Sequence, residues 1–171
     1  DIVASMVVFV DGRASKKDYK RFKIEGLTDQ DDYASMRQTL HRRFAHYQAG
    51  DAGFDEAPDA LLIDGGQEHA QCVREELAAM GLSFPLFGMV KDNRHRTRGL
   101  TTGEGELALS MMKSAFTLVT NIQDEVHRYA IAYQRILHKK ADTASRLKSV
   151  KGIGDVKLKK LLSRWPTKPK M

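Results

Sequence analysis

Only one cysteine, Cys72, stands among the 171 residues. No internal disulfide and no cysteine zinc cluster can form, which suits a reducing cytosol. The plain reading of Cys72 is a small buried apolar side chain. No apolar run approaches the roughly 20 residues that a membrane helix requires. The opening Asp1-Ile2-Val3-Ala4-Ser5 has no basic segment ahead of an apolar one, so no secretory signal is expected either. The expectation is a cytoplasmic protein. Internal repeats and low-complexity tracts are also lacking.

What is present is an ordinary globular composition, 42% hydrophobic and 29% charged, long enough for one well-buried core and a small appendage. The net charge of +6 conceals a division. Residues 1–90 carry 10 Lys+Arg against 15 Asp+Glu, a net of −5; residues 91–171 carry 18 against 7, a net of +11. An acidic half beside a basic half fits a protein that holds divalent metal with one part and a polyanion with the other. It fits equally a protein whose basic helices are simply solvated.

Val3 to Val10 is β-branched and apolar, Asp11-Gly12 reads as a turn, and Asp18 to Ile24 alternates, which together predict a β-hairpin. Asp31-Asp32 precede Tyr33, Met36, Leu40, Phe44 and Tyr47 at helical spacing, predicting an amphipathic helix to about His46 with acidic residues at its N-terminus. Ala60 to Ile63 reads as a strand covered on both faces, ending in Asp64-Gly65-Gly66. A second helix is expected through Met80 and a second buried strand over Pro85–Val90. The polar stretch Lys91–Glu106 reads as a loop or weak hairpin, and Leu107–Leu109 as an edge strand. The longest helix is expected from Ser114 to about His138, on the stripe Leu118, Ile122, Val126, Tyr129, Tyr133, Ile136. The charged, small-residue stretch Lys139–Ser145 places a boundary between residues 1–140 and 141–171. Strand pairs followed by helices alternating with buried strands predict an α/β fold, a mixed sheet flanked by helices.

Asp64 lies at the C-terminal end of a buried strand, the edge of an open α/β sheet where ligands bind, and Gly65-Gly66 allow close backbone approach. Hard Mg²⁺ or Mn²⁺ prefers carboxylate oxygens, and one Asp does not make a site alone. An ordinary turn opening a helix is the competing reading. His127 falls at the polar border of the long helix's stripe, where an imidazole serves as general acid or base, holds a phosphate, or simply faces solvent. Asp32 reads first as a residue of a helix N-terminus. Arg94, Arg96 and Arg98 form a dense basic stretch suited to phosphates. Gly152-Ile153-Gly154, between apolar residues on both sides, resembles a helix-hairpin-helix element. There a glycine hairpin lets backbone N–H groups reach a phosphate, while Lys151, Lys157 and Lys160 add charge.

Five collinear blocks carry a wider resemblance: VASMVVF (Val3–Phe9), DDYASM (Asp31–Met36), LLIDGG (Leu61–Gly66), VKDNRHRTRGL (Val90–Leu100) and DEVHRYAI (Asp124–Ile131). Together they resemble the C-terminal half of the UvrC family, the incision subunits of bacterial nucleotide excision repair. The resemblance implies an RNase H-like endonuclease domain over residues 1–140. It further implies the start of a tandem helix-hairpin-helix domain over 141–171, a Mg²⁺ or Mn²⁺ cofactor and a 5′ incision beside a lesion in double-stranded DNA. UvrB is the implied partner, with UvrA upstream. Position by position it implies catalytic roles for Asp64, His127 and Asp32. The family's remaining Asp belongs to an Asp-Ile-Ser-His block on a first strand. Here only Asp1-Ile2 matches it, so Asp1 is expected to be that residue and, with Asp64, a metal ligand. If instead the chain is continuous there, the expected protein is a DNA-binding adaptor without an active site.

Overall fold

The computed structural model describes residues 2–27, 31–102, 105–108 and 113–164. Its first unit is the expected hairpin, in two tiers. Strand β1 (Val3–Met6) pairs antiparallel with β4 (Lys20–Lys23) in the register Val3↔Lys23 to Met6↔Lys20. Above them β2 (Phe9–Val10) pairs with β3 (Arg13–Ala14) across Asp11 and Gly12. Both turn residues have positive φ, 50° and 76°, the twist that a two-residue hairpin turn demands. The apolar run Val3–Val10 is therefore two short strands, not one. The sheet-like pairing of Ile2 and Ile24 extends β1 by a residue, through Ile24 N–H to the Ile2 carbonyl at 3.0 Å.

Helix α1 (Asp32–Ala49) starts where the sequence predicts. The Asp31 carboxylate accepts the Ala34 amide at 2.9 Å, which satisfies one of the helix's orphan donors. It runs a turn beyond His46 because the first residue able to stop it is Gly50, left-handed at φ 70°. Strand β5 (Leu61–Ile63) leads into helix α2 (Gln67–Ala79), and β6 (Leu86–Lys91) lies parallel to β5. Strands β7 (Thr97–Thr102) and β8 (Gly105–Ala108) complete an antiparallel extension, in the order β5-β6-β7-β8. Of the two readings of Lys91–Glu106, loop or hairpin, the hairpin holds: beyond a turn at residues 92–96, β7 pairs antiparallel with β8. Its threonines are β-branched and two of them, Thr97 and Thr101, turn inward and are buried. Gly99 permits the pairing, since a Cβ there would lie 2.7 Å from the Leu107 carbonyl. Leu109 lies outside the described residues.

The sheet is covered on both faces, as the unbroken apolar run in β5 predicts. Ile63 and Leu86 pack with Phe44 of α1 and with Ala70, Val73 and Leu77 of α2. On the other face Leu62, Met89 and Leu100 meet Ala115 and Val119 of helix α3 (Lys113–Lys148). At 36 residues α3 is ~54 Å long at 1.5 Å per residue. It does not end near His138 but continues through Lys139–Ser145. That stretch holds no Pro or Gly, and its polarity reflects a helix that has left the body of the protein, with residues 138–142 exposed. A turn containing Gly152 at φ 92° then reverses the chain into α4 (Asp155–Arg164). Among the described residues no helix is long and apolar enough to cross a membrane.

Candidate active site

Three elements converge on Asp64. It follows β5 directly, and a tight turn with the Gly65 amide on the Ile63 carbonyl (2.9 Å) carries the chain into α2. Neighbouring β6 makes room for this turn at Gly88. A Cβ there would lie 2.5 Å from the Gly65 carbonyl and 3.0 Å from that of Gly66. The close approach of two backbones therefore needs a glycine. Farther along β6 the register slips by one residue, Val90 facing Gly99 and Lys91 facing Thr97, with Arg98 of β7 the extra residue. The Lys91 ammonium lies 2.8 Å from Asp64 Oδ1. From the opposite layer α3 presents Gln123 and His127, one turn apart on one face. His127 Nε2 is 2.9 Å from Asp64 Oδ2, and Gln123 Nε2 donates to Oδ1 at 3.2 Å.

Gln123 is itself buried, and its carbonyl oxygen accepts the hydroxyl of buried Thr97. This fixes which end of the amide faces the carboxylate. The rim is wetter: the side chains of Asp64, Lys91 and His127 are 27%, 30% and 49% exposed. Lys91 Nζ also lies 3.2 Å from His127 Nε2. One ring nitrogen cannot donate to Asp64 and accept from Lys91 at once. With the Gln123 amide, three donors therefore crowd a single carboxylate, the surroundings of a point where positive charge is wanted.

The orientation of α3 across this site is held by a second cluster. Arg128 donates both Nε and Nη2 to Glu125 at 2.7 Å, and the Tyr19 hydroxyl donates to the same carboxylate at 2.9 Å. The Arg128 guanidinium, then the Tyr19 hydroxyl, bring the Glu125 carboxyl down to about 2 against the resistance of burial. Burial and that hydrogen bond push the Tyr19 phenol up to about 12. Tyr129 meets the Tyr19 ring edge-on at 5.0 Å, and Arg21 covers Tyr129 at 4.2 Å. Glu125 is two residues from His127, so the contact of Tyr19, just ahead of β4, with Glu125 holds the segment of α3 that carries the imidazole.

Of the residues the sequence singles out, Asp64 and His127 are brought together. Asp32 sits exposed in the first turn of α1. Among the described residues no three His, Cys, Asp or Glu side chains gather closely enough to hold a metal, so Asp32 is not part of such a group. Asp1 lies outside the described residues. Lys91, Gln123 and Thr97 went unnoticed in the sequence. The available signal was Gln123, four residues before His127 and four after buried Val119.

In the basic stretch, Arg96 pairs with Asp92 at 3.2 Å and Arg98 grips Glu106 with two bonds, 2.8 and 2.7 Å. Arg94 is exposed and has no ion-pair partner among the described residues. In the α3–α4 turn Lys157 donates to the Gly152 carbonyl at 3.1 Å, and Lys148 pairs with Asp155 at 2.9 Å. Lys151, Gly154 and Lys160 are exposed beside them.

A mixed sheet flanked by helices, with a strand-end aspartate met by a histidine from the helix across the sheet, places this chain among RNase H-like domains. The chain belongs to the UvrC RNase H endonuclease domain family, whose model matches residues 1–131. It is 41% identical over 173 residues to UvrABC system protein C of Thermoanaerobacter pseudethanolicus, covering 94% of this chain and 28% of that protein. It is 42% identical over 180 residues to UvrABC system protein C of Acetivibrio thermocellus, covering 96% and 29%. The chain thus spans less than a third of the length of these relatives.

Proposed function

We propose that this chain is the catalytic portion of a DNA endonuclease of nucleotide excision repair, making the 5′ incision beside a lesion with Mg²⁺ or Mn²⁺. The observation that carries the reading is the contact of Asp64 with His127 at the C-terminal end of β5. The donor chemistry fits a hard divalent cation, because a carboxylate at the sheet edge already draws an ammonium and an imidazole to its two oxygens. Asp64 would hold the ion, with Asp1 as second carboxylate and Asp32 in support. When bound, such an ion neutralises charge on the phosphodiester and makes water nucleophilic near neutral pH.

The chain's own residues do the rest. Thr97 and Gln123 fix the rotamer of Asp64. His127, exposed on the side away from the core, holds the phosphate or passes a proton to the departing oxygen. Arg94 and Arg96, in the turn between β6 and β7, and Arg98, on β7, would serve as DNA-backbone contacts, which position DNA without reading bases. Residues 1–140 cut; residues 141–171, with Lys151, Gly152, Gly154, Lys157 and Lys160 at a helix-hairpin-helix turn, hold the duplex. UvrB, loaded through UvrA, supplies the lesion.

The test is incision of an end-labelled lesion duplex by the full-length protein with UvrB. A 5′ cut is expected with Mg²⁺ or Mn²⁺, absent with EDTA and absent for Asp64→Asn at unchanged circular dichroism. Equal cutting by that variant, freed of contaminating nuclease, overturns the reading.

A further inference from the structure

The ammonium of Lys91 is the one unexplained member of the Asp64 cluster. It lies 2.8 Å from Oδ1, the oxygen that Gln123 also touches, and 3.2 Å from the His127 nitrogen. A lysine there neutralises Asp64, yet it also occupies ground that a divalent cation on Asp64 would need. Its stem is unbranched and its side chain 30% exposed, so the ammonium can leave the carboxylate without unpacking the core. Lys91 is the last residue of β6 and faces Thr97 across the register slip, at the head of the stretch carrying Arg94, Arg96 and Arg98. A displaced ammonium would there face the same polyanion.

We propose that Lys91 is a substrate-positioning residue that holds Asp64 until a divalent cation takes that carboxylate, then turns its ammonium to the DNA phosphate beside the cut. The assignment rests on the reading of Asp64 given above. Two positive charges compete for one carboxylate, so removing the lysine must strengthen metal binding while weakening the hold on DNA. A residue of merely structural value would weaken both. Lysine suits the exchange, being a compact charge with rotatable donors, whereas guanidinium prefers a fixed bidentate grip.

The experiment is Mn²⁺ binding to the full-length protein, read from the free-Mn²⁺ electron paramagnetic resonance signal, with nicking kinetics at saturating Mn²⁺. Lys91→Met keeps the stem and removes the charge. It is expected to tighten Mn²⁺ about tenfold, the scale of one charge a few ångströms from a divalent ion at a wet surface. It should also raise KM for DNA several-fold; Lys91→Arg, which restores the charge but grips the carboxylate more fixedly, should reverse the tightening of Mn²⁺ and restore KM only in part. Unchanged or weaker Mn²⁺ binding by a folded Lys91→Met overturns the proposal, as does tighter Mn²⁺ binding with KM unaltered. Asp64→Asn separates the two layers. If it abolishes Mn²⁺ binding while Lys91→Met changes nothing, only the role of Lys91 fails. If Mn²⁺ binds Asp64→Asn as tightly as before, the reading of Asp64 fails and the proposal falls with it.

Discussion

Asp64 depends on residues that do no chemistry. Gly88, on the neighbouring strand, leaves the Asp64-Gly65-Gly66 turn the space that any Cβ would take, with carbonyls 2.5 and 3.0 Å from its would-be position. Backbone cannot swing aside as a side-chain tip can, so Gly88→Ala is expected to shift the turn and cost about 1–3 kcal/mol, the scale of overpacking. Nicking should fall at least tenfold, because small misplacements at a reacting centre are expensive. Urea unfolding and plasmid nicking, measured on the same sample, check both. Asp64 and His127 were each legible in the sequence as chemistry-bearing residues at a strand end and a stripe border. Their pairing was not, since they lie on different elements and periodicity carries no distance. Lys91 and Thr97 were hidden for a further reason. They belong to a polar stretch whose threonines and glycines imitate a loop, and only the pairing of β6 with β7, Lys91 opposite Thr97, reveals which of them turn inward.

At the scale of elements, α3 is held on the first hairpin by Glu125, Arg128 and Tyr19. Because folding depresses the Glu125 carboxyl from 4.5 to about 2, its contribution to stability is complete above the ordinary carboxylate range. It is lost as pH falls towards 2. Tyr19 works in the opposite sense: its phenol is raised from 10 to about 12, so its share persists below pH 10 and fades above it. Glu125→Gln is therefore expected to lower the urea midpoint at pH 7, with the difference from the unmutated protein shrinking steadily below pH 4.5. A difference independent of pH would contradict this. The hairpin itself was legible because Asp11-Gly12 has turn chemistry written in two residues. The length of α3 was not. A polar stretch without Pro or Gly reads as a linker when, as here, the helix continues beyond the surface that gives it a stripe.

Over the whole molecule, the division of charge in the sequence has a partial spatial counterpart. The −5 half supplies the α1 and α2 layer and Asp64, and the +11 half supplies β7, α3 and α4. Several of its cations are already spent, Arg96 on Asp92, Arg98 on Glu106 and Lys148 on Asp155, so net charge overstates what is offered to DNA. Lys151 and Lys160 are exposed, and each is expected to contribute about one unit to the slope of log affinity against log salt. The Lys151→Ala, Lys160→Ala pair should lower that slope by about two at unchanged melting temperature. An unchanged slope would place the duplex elsewhere.

The central claim is that Asp64 and His127 act as one unit. It is tested most directly by Mn²⁺-dependent nicking of supercoiled plasmid by Asp64→Asn, His127→Ala and the double variant, with an EDTA blank. Groups that serve one reaction step are not additive, so each single change should remove most of the activity and the double change little more. Full activity in either single variant, or losses that multiply in the double, would contradict it.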